Sequence, residues 1–281
     1  MTAASRRRAS RLALAKHLLA VGACCLLAAP FLWMLVTSLK GPQELALQYP
    51  TLIPRHPDPG NYARVLVRAG FGRYFLNSAL VAVATTLIAV AVAALAGYAF
   101  ARFRLPGGKA LLLGILATQM FPGILLAIPL YGLLRDLRLL DSLPGLVLVY
   151  TTFALPFCVW MLRNAFLAVP RELEESALVD GCSRLGALWR VVVPVALPGI
   201  AATAIFSFIL AWNEFLYANT FISSAEKRTL AVGLESLIGE FTTDWGLLMA
   251  GAVVTTAPLV LAFLAIQRRL TQGLAAGAVK G

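Results

Sequence analysis

One polar stretch between two long apolar runs carries residues at a fixed spacing. It reads Glu175-Ser176-Ala177, three residues, Gly181, nine residues, then Val191-x-Val193-Pro194. Pro170, Glu172 and Glu174 precede it. Proline suits the first turn of a helix, where its missing N–H costs nothing. Carboxylates in that turn face the positive end of the helix dipole. Gly181 is placed to end the helix in a left-handed cap. Ser183 can cap a second helix through Leu185, Leu188 and Trp189. The chemistry on offer is recognition rather than bond making. Glu175 can form a charge-assisted hydrogen bond with a partner's arginine, with Asp180 in the same set, and the small Ser176-Ala177 pair leaves room for a surface to close on the helix. The competing reading is a plain amphipathic connector.

Glu214 is the acid that closes an apolar run, directly after Asn213. A charge near the middle of a membrane helix costs about 2.5–3.5 kcal/mol on insertion scales, so it should face a cavity or a partner. With Trp212 and Asn213 it makes a polar–aromatic set suited to a polyhydroxyl solute, the amide and carboxylate meeting hydroxyls and the indole an apolar ring face. The other reading is a structural pair with a cation near the outer end of the span. Gln119 is a second amide in an apolar run, either a helix–helix hydrogen bond or a ligand contact. His17 and His56 have no neighbouring metal-ligand residues, and Cys24, Cys25, Cys158 and Cys182 lack zinc or disulfide-framework spacing. No metal site and no catalytic residue is expected. H-E-x-x-H, G-x-S-x-G and the phosphate-cradling G-x-x-x-x-G-K-[ST] are all missing from the sequence.

The elements that position these residues are set by composition. The 281 residues are 60% hydrophobic and 13% charged, against roughly 25% charged in a soluble domain. A helix needs about 20 apolar residues to cross the hydrocarbon core. Six runs qualify: Leu18–Leu39, Tyr74–Ala101, Ala110–Leu134, Ser142–Leu162, Val191–Asn213 and Trp245–Gln267. The alternating ten-residue pattern of a membrane β-barrel does not occur. The expectation is an all-α, six-span membrane domain over residues 18–270, with a polar loop at about 163–190, an N-terminal tail over 1–17 and a C-terminal tail over 271–281. The second run is rich in alanine, with Gly97, and reads as a buried helix that lets neighbours approach closely. Pro122, Pro129 and Pro156 predict kinks in the third and fourth runs. Pro42, Pro50, Pro54, Pro57 and Pro59 predict an irregular segment from Lys40 to Arg73.

The net charge of +11 is unevenly placed. With the N-terminus inside, inner segments hold 15 of the 24 cations, and the outer loops hold nine beside eight acids. This bias puts both termini in the cytoplasm and argues against nucleic acid. The basic start, the apolar run and Val21-Gly22-Ala23-Cys24 imitate a secretion signal, but the length of the run favours a retained first helix.

The Glu175–Pro194 spacing resembles the E-A-A-x3-G-x9-I-x-L-P loop of permeases of bacterial ABC importers, with Ser176, Val191 and Val193 as departures. Asn77-Ser78, Tyr98-Ala99-Phe100-Ala101-Arg102, Met120-Phe121-Pro122, Trp212-Asn213-Glu214-Phe215 and the glycine-rich end from Gly273 to Gly281 are similar to the binding-protein-dependent carbohydrate importers. The likeness is to the small permease of the maltose-transporter type, mycobacterial trehalose importers among them. It implies the type I ABC importer permease fold and a bacterial plasma-membrane location. It implies a second, homologous permease subunit, an ATPase dimer that alone holds ATP and Mg, and an extracytoplasmic sugar-binding protein. Glu175, Ser176, Ala177, Asp180 and Gly181 would dock on the ATPase. Gly277, Val279 and Lys280 would reach between its subunits. Trp212, Asn213, Glu214 and Gln119 would line the path of a sugar, such as trehalose or maltose. The chain itself would bind no cofactor.

The topology has a direct check. In a cysteine-free background, cysteines at positions Ser5 and Ala276 should resist an impermeant outside thiol reagent, and one at Ser224 should react. Outside labelling at Ser5 would reverse the orientation.

Overall fold

A computed structural model describes residues 3–49, 51–68, 70–239 and 242–278. The described residues are helical, without strands. They divide into two compact units, one formed by 1–69 with 236–256 and the other by 70–235 with 257–281.

In the first unit, α1 (Ala3–Ser38) runs unbroken through the expected tail into the first apolar run. The proline-rich segment after it is less irregular than expected. Short helices form at Pro42–Leu45 and Gly60–Ala63, and a wide π-type turn at Arg64–Arg68. Lys40 is buried against the Trp33 ring, its Nζ 4.5 Å from the centroid, and it donates to the Thr51 carbonyl. The aromatic face and the carbonyl offset the desolvation of the ammonium. Asn61 Nδ2 donates to the carbonyls of Ser38 at 2.8 Å and Lys40 at 3.0 Å, fixing the exit from α1.

The second unit is built on α2 (Phe71–Arg102). Ala82, Thr85, Ala89, Ala93, Gly97 and Ala101 recur at helical spacing and are buried, while Ala91 faces outward. This stripe packs along α5 (Leu143–Leu167), against Ala154, Cys158, Leu162 and Phe166. A Cβ on Gly97 would sit 2.9 Å from the Arg163 backbone nitrogen and 3.2 Å from the Leu162 carbonyl carbon. The small residues therefore set how closely the two helices approach, as expected.

Two of the expected spans are broken. The third becomes α3 (Gly108–Ala117), a 3-10 turn over Thr118–Met120 and α4 (Gly123–Asp136), bent by 97°. Phe121 and Pro122 are extended there. Proline disfavours helical geometry in the residue before it. Pro129 and Pro156 instead stay inside continuous helices. The fifth span bends by 83° between Arg184–Val195 and α7 (Leu197–Asn213), as α6 (Arg171–Val179) leads up to it. Pro194 and Pro198 flank that bend. Among the described residues, three helices are long and apolar enough to span a membrane alone, or up to five spans if each bent pair counts as one. The short helices α8 (Leu216–Phe221) and α9 (Leu230–Glu235) follow. The sixth apolar run lies on α10 (Trp245–Ala278), whose helical backbone continues through Gly273 and Gly277 where a flexible tail was expected.

Gly97→Ala should cost about 1–3 kcal/mol by overpacking. Gly132→Ala, whose new methyl would meet nothing within 4 Å, should be neutral or gain up to about 1 kcal/mol of helix propensity. Thermal unfolding of the detergent-purified chain separates the two, and equal midpoints would refute close packing at Gly97.

Candidate functional site

The polar loop folds as its residues dictate. Pro170 precedes α6 as its cap residue in extended geometry rather than entering the first turn. Glu172 and Glu174 lie in that turn. Gly181 has φ +87°, and Cys182 N donates to the Ala177 carbonyl at 2.9 Å, closing the helix with the glycine-based cap expected. Ser183 Oγ accepts from Gly186 N at 3.1 Å and starts the next helix. That helix widens into a π-type turn over Leu188–Val192 just before Pro194.

Glu174 and Glu175 are adjacent in sequence and opposite in role. Successive helix residues differ by about 100°, so one turns inward and the other outward. Glu174 is buried against the end of α2. Its Oε2 is 2.6 Å from Arg102 Nε, with side chains 6% and 5% exposed. Tyr98 donates its hydroxyl to Glu174 Oε1. Arg102 Nη2 also donates to the Val169 carbonyl at 3.0 Å. A buried pair is tolerable when its remaining polar atoms are satisfied in this way. Sequence reasoning gave Glu174 only a helix-dipole role. The signal that could have found it is Tyr98 and Arg102 one turn apart, a donor pair at a helix end.

Glu175, Ser176, Asp180 and Gly181 are exposed, and Ala177 is buried beneath them. Val179 is 87% and Leu185 58% exposed. The face thus mixes free carboxylates with bare apolar side chains, held on a latched helix. Such a surface suits docking of another protein.

Of the other predicted residues, Gln119 lies at the bend before Pro122, and Trp212, Asn213 and Glu214 lie at the far end of α7. Glu214 ends α7, and its carboxylate accepts from Tyr217 N at 2.8 Å and Ala218 N at 3.1 Å. It caps α8. Glu214 forms no ion pair among the described residues, so the cation-pair reading finds no support within this chain. The buried Tyr150 hydroxyl lies toward it without a hydrogen bond of good geometry. Tyr217 Oη donates to the Gly123 carbonyl at 2.9 Å, just past the Pro122 bend, and its ring stacks on Phe153 at 4.9 Å. Gln119 Nε2 donates to the Phe153 carbonyl at 2.7 Å. Glu214 and Gln119 are therefore linked through Tyr217 and Phe153, which the sequence did not single out. Asn213 is exposed and donates to the Ile209 carbonyl at 3.0 Å.

Trp212 is deeply buried in this chain. It is 2% exposed, stacked on Phe208 at 5.4 Å and met edge-on by Phe75 at 5.6 Å. The indole thus packs against rings from its own helix and from α2. Gly277 lies in the last turns of α10, and Val279 and Lys280 fall outside the described residues.

On the side of α2 away from α6, Asn77 Nδ2 donates to the carbonyls of Glu226 at 2.8 Å and Arg228 at 2.9 Å. Ser78 Oγ accepts from Leu230 N at 2.8 Å. Asp141, at φ +50°, accepts from Ser223 N, Ser224 N and Lys227 Nζ at 3.0, 2.9 and 2.8 Å. The Lys227 ammonium and then the Ser224 hydroxyl hold its carboxyl well below the usual range. This clasp fixes the segment that follows α8.

Bent apolar helices, with an exposed helix–turn–helix latched to one of them, describe a multi-pass membrane protein. The family described as "Binding-protein-dependent transport system inner membrane component" matches residues 89–276, and the chain belongs to it. The chain is 39% identical over 252 residues to the sulfoquinovosyl glycerol transport system permease protein SmoH of Agrobacterium fabrum, covering 90% of this chain and 88% of that one. It is 37% identical over 254 residues to the trehalose transport system permease protein SugB of Mycobacterium tuberculosis, covering 90% and 92%. It shares its fold with a chain of a crystallised bacterial ABC transporter that imports alginate, with TM-score 0.78, 23% identity and coverage of 95% and 98%. The resemblance read from the sequence is borne out at the level of family and fold.

Removing one partner of a buried pair leaves an uncompensated charge and costs about 3–5 kcal/mol. Arg102→Ala and Glu174→Ala should each destabilise by that amount, and Arg102→Met with Glu174→Leu should recover most of it. Thermal unfolding of the four proteins tests this; additive losses in the double variant would contradict the pairing.

Proposed function

We propose that this chain is one permease subunit of an ATP-driven importer in the bacterial plasma membrane, with both termini cytoplasmic. It works beside a second, homologous permease, an ATPase dimer and an extracytoplasmic binding protein. The observation that carries this reading is the outward face of α6, where exposed Glu175, Ser176 and Asp180 sit on a helix anchored by buried Glu174. ATP closes the ATPase pair and moves α6. The Glu174–Arg102 pair passes that motion to α2, whose other end holds the 226–230 segment through Asn77 and Ser78. The bundle opens outward, takes solute from the binding protein, and resets on hydrolysis. The C-terminal end, with Gly277, Val279 and Lys280, adds a second ATPase contact.

The solute is a neutral di- or oligosaccharide, with trehalose or maltose as representatives. Relatives are named for sulfoquinovosyl glycerol, whose sulfonate makes it anionic, and for trehalose, a neutral disaccharide, so the neutral assignment rests on this chain's own residues. Asn213, Glu214 and Gln119 offer hydrogen bonds on this chain's share of the path. No Lys or Arg lies within the apolar runs to neutralise an anion beside Glu214. A polyol, glycerol phosphate or peptide is the competing cargo.

Glu175→Lys with Gly181→Asp should leave the complex assembled and abolish uptake while ATP hydrolysis continues. Asn213→Ala should slow uptake without affecting assembly. Uptake of labelled trehalose and maltose by cells carrying the full complex reads both. Normal uptake in the first variant would sink the docking assignment, and preference for a peptide or organic phosphate would sink the sugar assignment.

A further inference from the structure

The end of α2 that grips α6 also borders a cavity with a different character. It holds about 400 Å3 between the end of α2, the turn after it, the start of α3 and the end of α5. That falls in the range of small-ligand pockets, roughly 300–1,000 Å3. Arg104, Lys109 and Arg163 line it, together with Phe100, Phe103 and Leu113, and no acid does. None of the three cations is in an ion pair among the described residues. Arg163 donates only to the neutral Asn164 amide, at 3.2 Å. The turn that brings Arg104 and Lys109 to one cavity depends on Gly107 at φ +69°, a conformation that side chains resist.

Three uncompensated cations at the end of a membrane helix, above an apolar wall, complement an amphiphile with an anionic head. We propose that this cavity binds an anionic phospholipid of the leaflet on the α6 side, its phosphodiester between Arg104, Lys109 and Arg163 and its acyl chains along Phe100 and Leu113. Basic pockets between helices at a membrane face recognise such headgroups. The apolar wall favours a lipid over a free phosphate, which would gain nothing from Phe103 and Leu113. A bound lipid would brace the α2–α3 turn beside the Arg102–Glu174 latch without taking part in it.

The test uses the complete importer complex, purified in detergent, incubated with equal phosphatidylglycerol and phosphatidylcholine, and weighed by native mass spectrometry. Wild type should retain phosphatidylglycerol preferentially. Each of Arg104→Ala, Lys109→Ala and Arg163→Ala should lower that occupancy about fivefold, since a cation near an anionic surface contributes about 1 kcal/mol, and the triple variant should show no preference. Lys109→Glu, at an exposed position, carries the same test if the triple variant fails to assemble. Equal retention of both lipids by wild type, or unchanged preference in the assembled variants, would overturn the proposal. Displacement of the lipid by inorganic phosphate would also overturn it, by assigning the cavity to a soluble anion.

Discussion

The buried pair between Arg102 and Glu174 is the constraint around which the second unit is organised. Both side chains are almost fully withdrawn from water, and each alone would carry an uncompensated charge. Their separation is therefore far costlier than loss of a surface salt bridge, which contributes about 0–1 kcal/mol. Tyr98 and the Val169 carbonyl occupy the remaining polar sites of the pair. The helix Arg171–Val179 thus behaves as an extension of the long helix Phe71–Arg102. Its opposite face stays free for a partner because the inward face is already committed.

The long helix is suited to carry motion because of what it lacks. Its alanines and Gly97 present little side chain to rearrange, and the backbone of the neighbouring helix lies directly against it. Packed interiors move between discrete arrangements rather than deforming continuously. At its other end, Asn77 and Ser78 hold the backbone of the segment near Leu230, and the Asp141 clasp holds the neighbouring turn. Bends supply the contrast. At Pro122 and near Pro194 and Pro198 the apolar runs change direction, and the first of these bends brings Gly123 against Tyr217.

Local signals were the legible part. Gly181 and Ser183 act within their own helix ends, so their caps could be read directly. The alanine stripe repeats at helical period, and the charge-free runs announce membrane helices. Tertiary choices were less legible. Pro122, Pro129 and Pro156 look alike in sequence, and only the extended Phe121–Pro122 pair breaks its helix. Trp212 shows its aromatic type in sequence, but not its contact with Phe75 from a helix distant in the chain. Glu214 reads as a costly isolated charge until its carboxylate is seen capping the short helix Leu216–Phe221. Glycines near the C-terminus suggest flexibility, yet the helix runs through Gly273 and Gly277.

The central proposal is mechanical: the Arg102–Glu174 contact carries force between the helix Arg171–Val179, proposed to dock on the ATPase, and the membrane helix. The direct measurement is solute imported per ATP hydrolysed by the reconstituted complex carrying Arg102→Cys and Glu174→Cys, with Cys24, Cys25, Cys158 and Cys182 replaced. If the account holds, the unlinked protein hydrolyses ATP with little uptake, and bridging the two thiols with a short bis-maleimide restores uptake. Equal uptake per ATP with and without the bridge would contradict it.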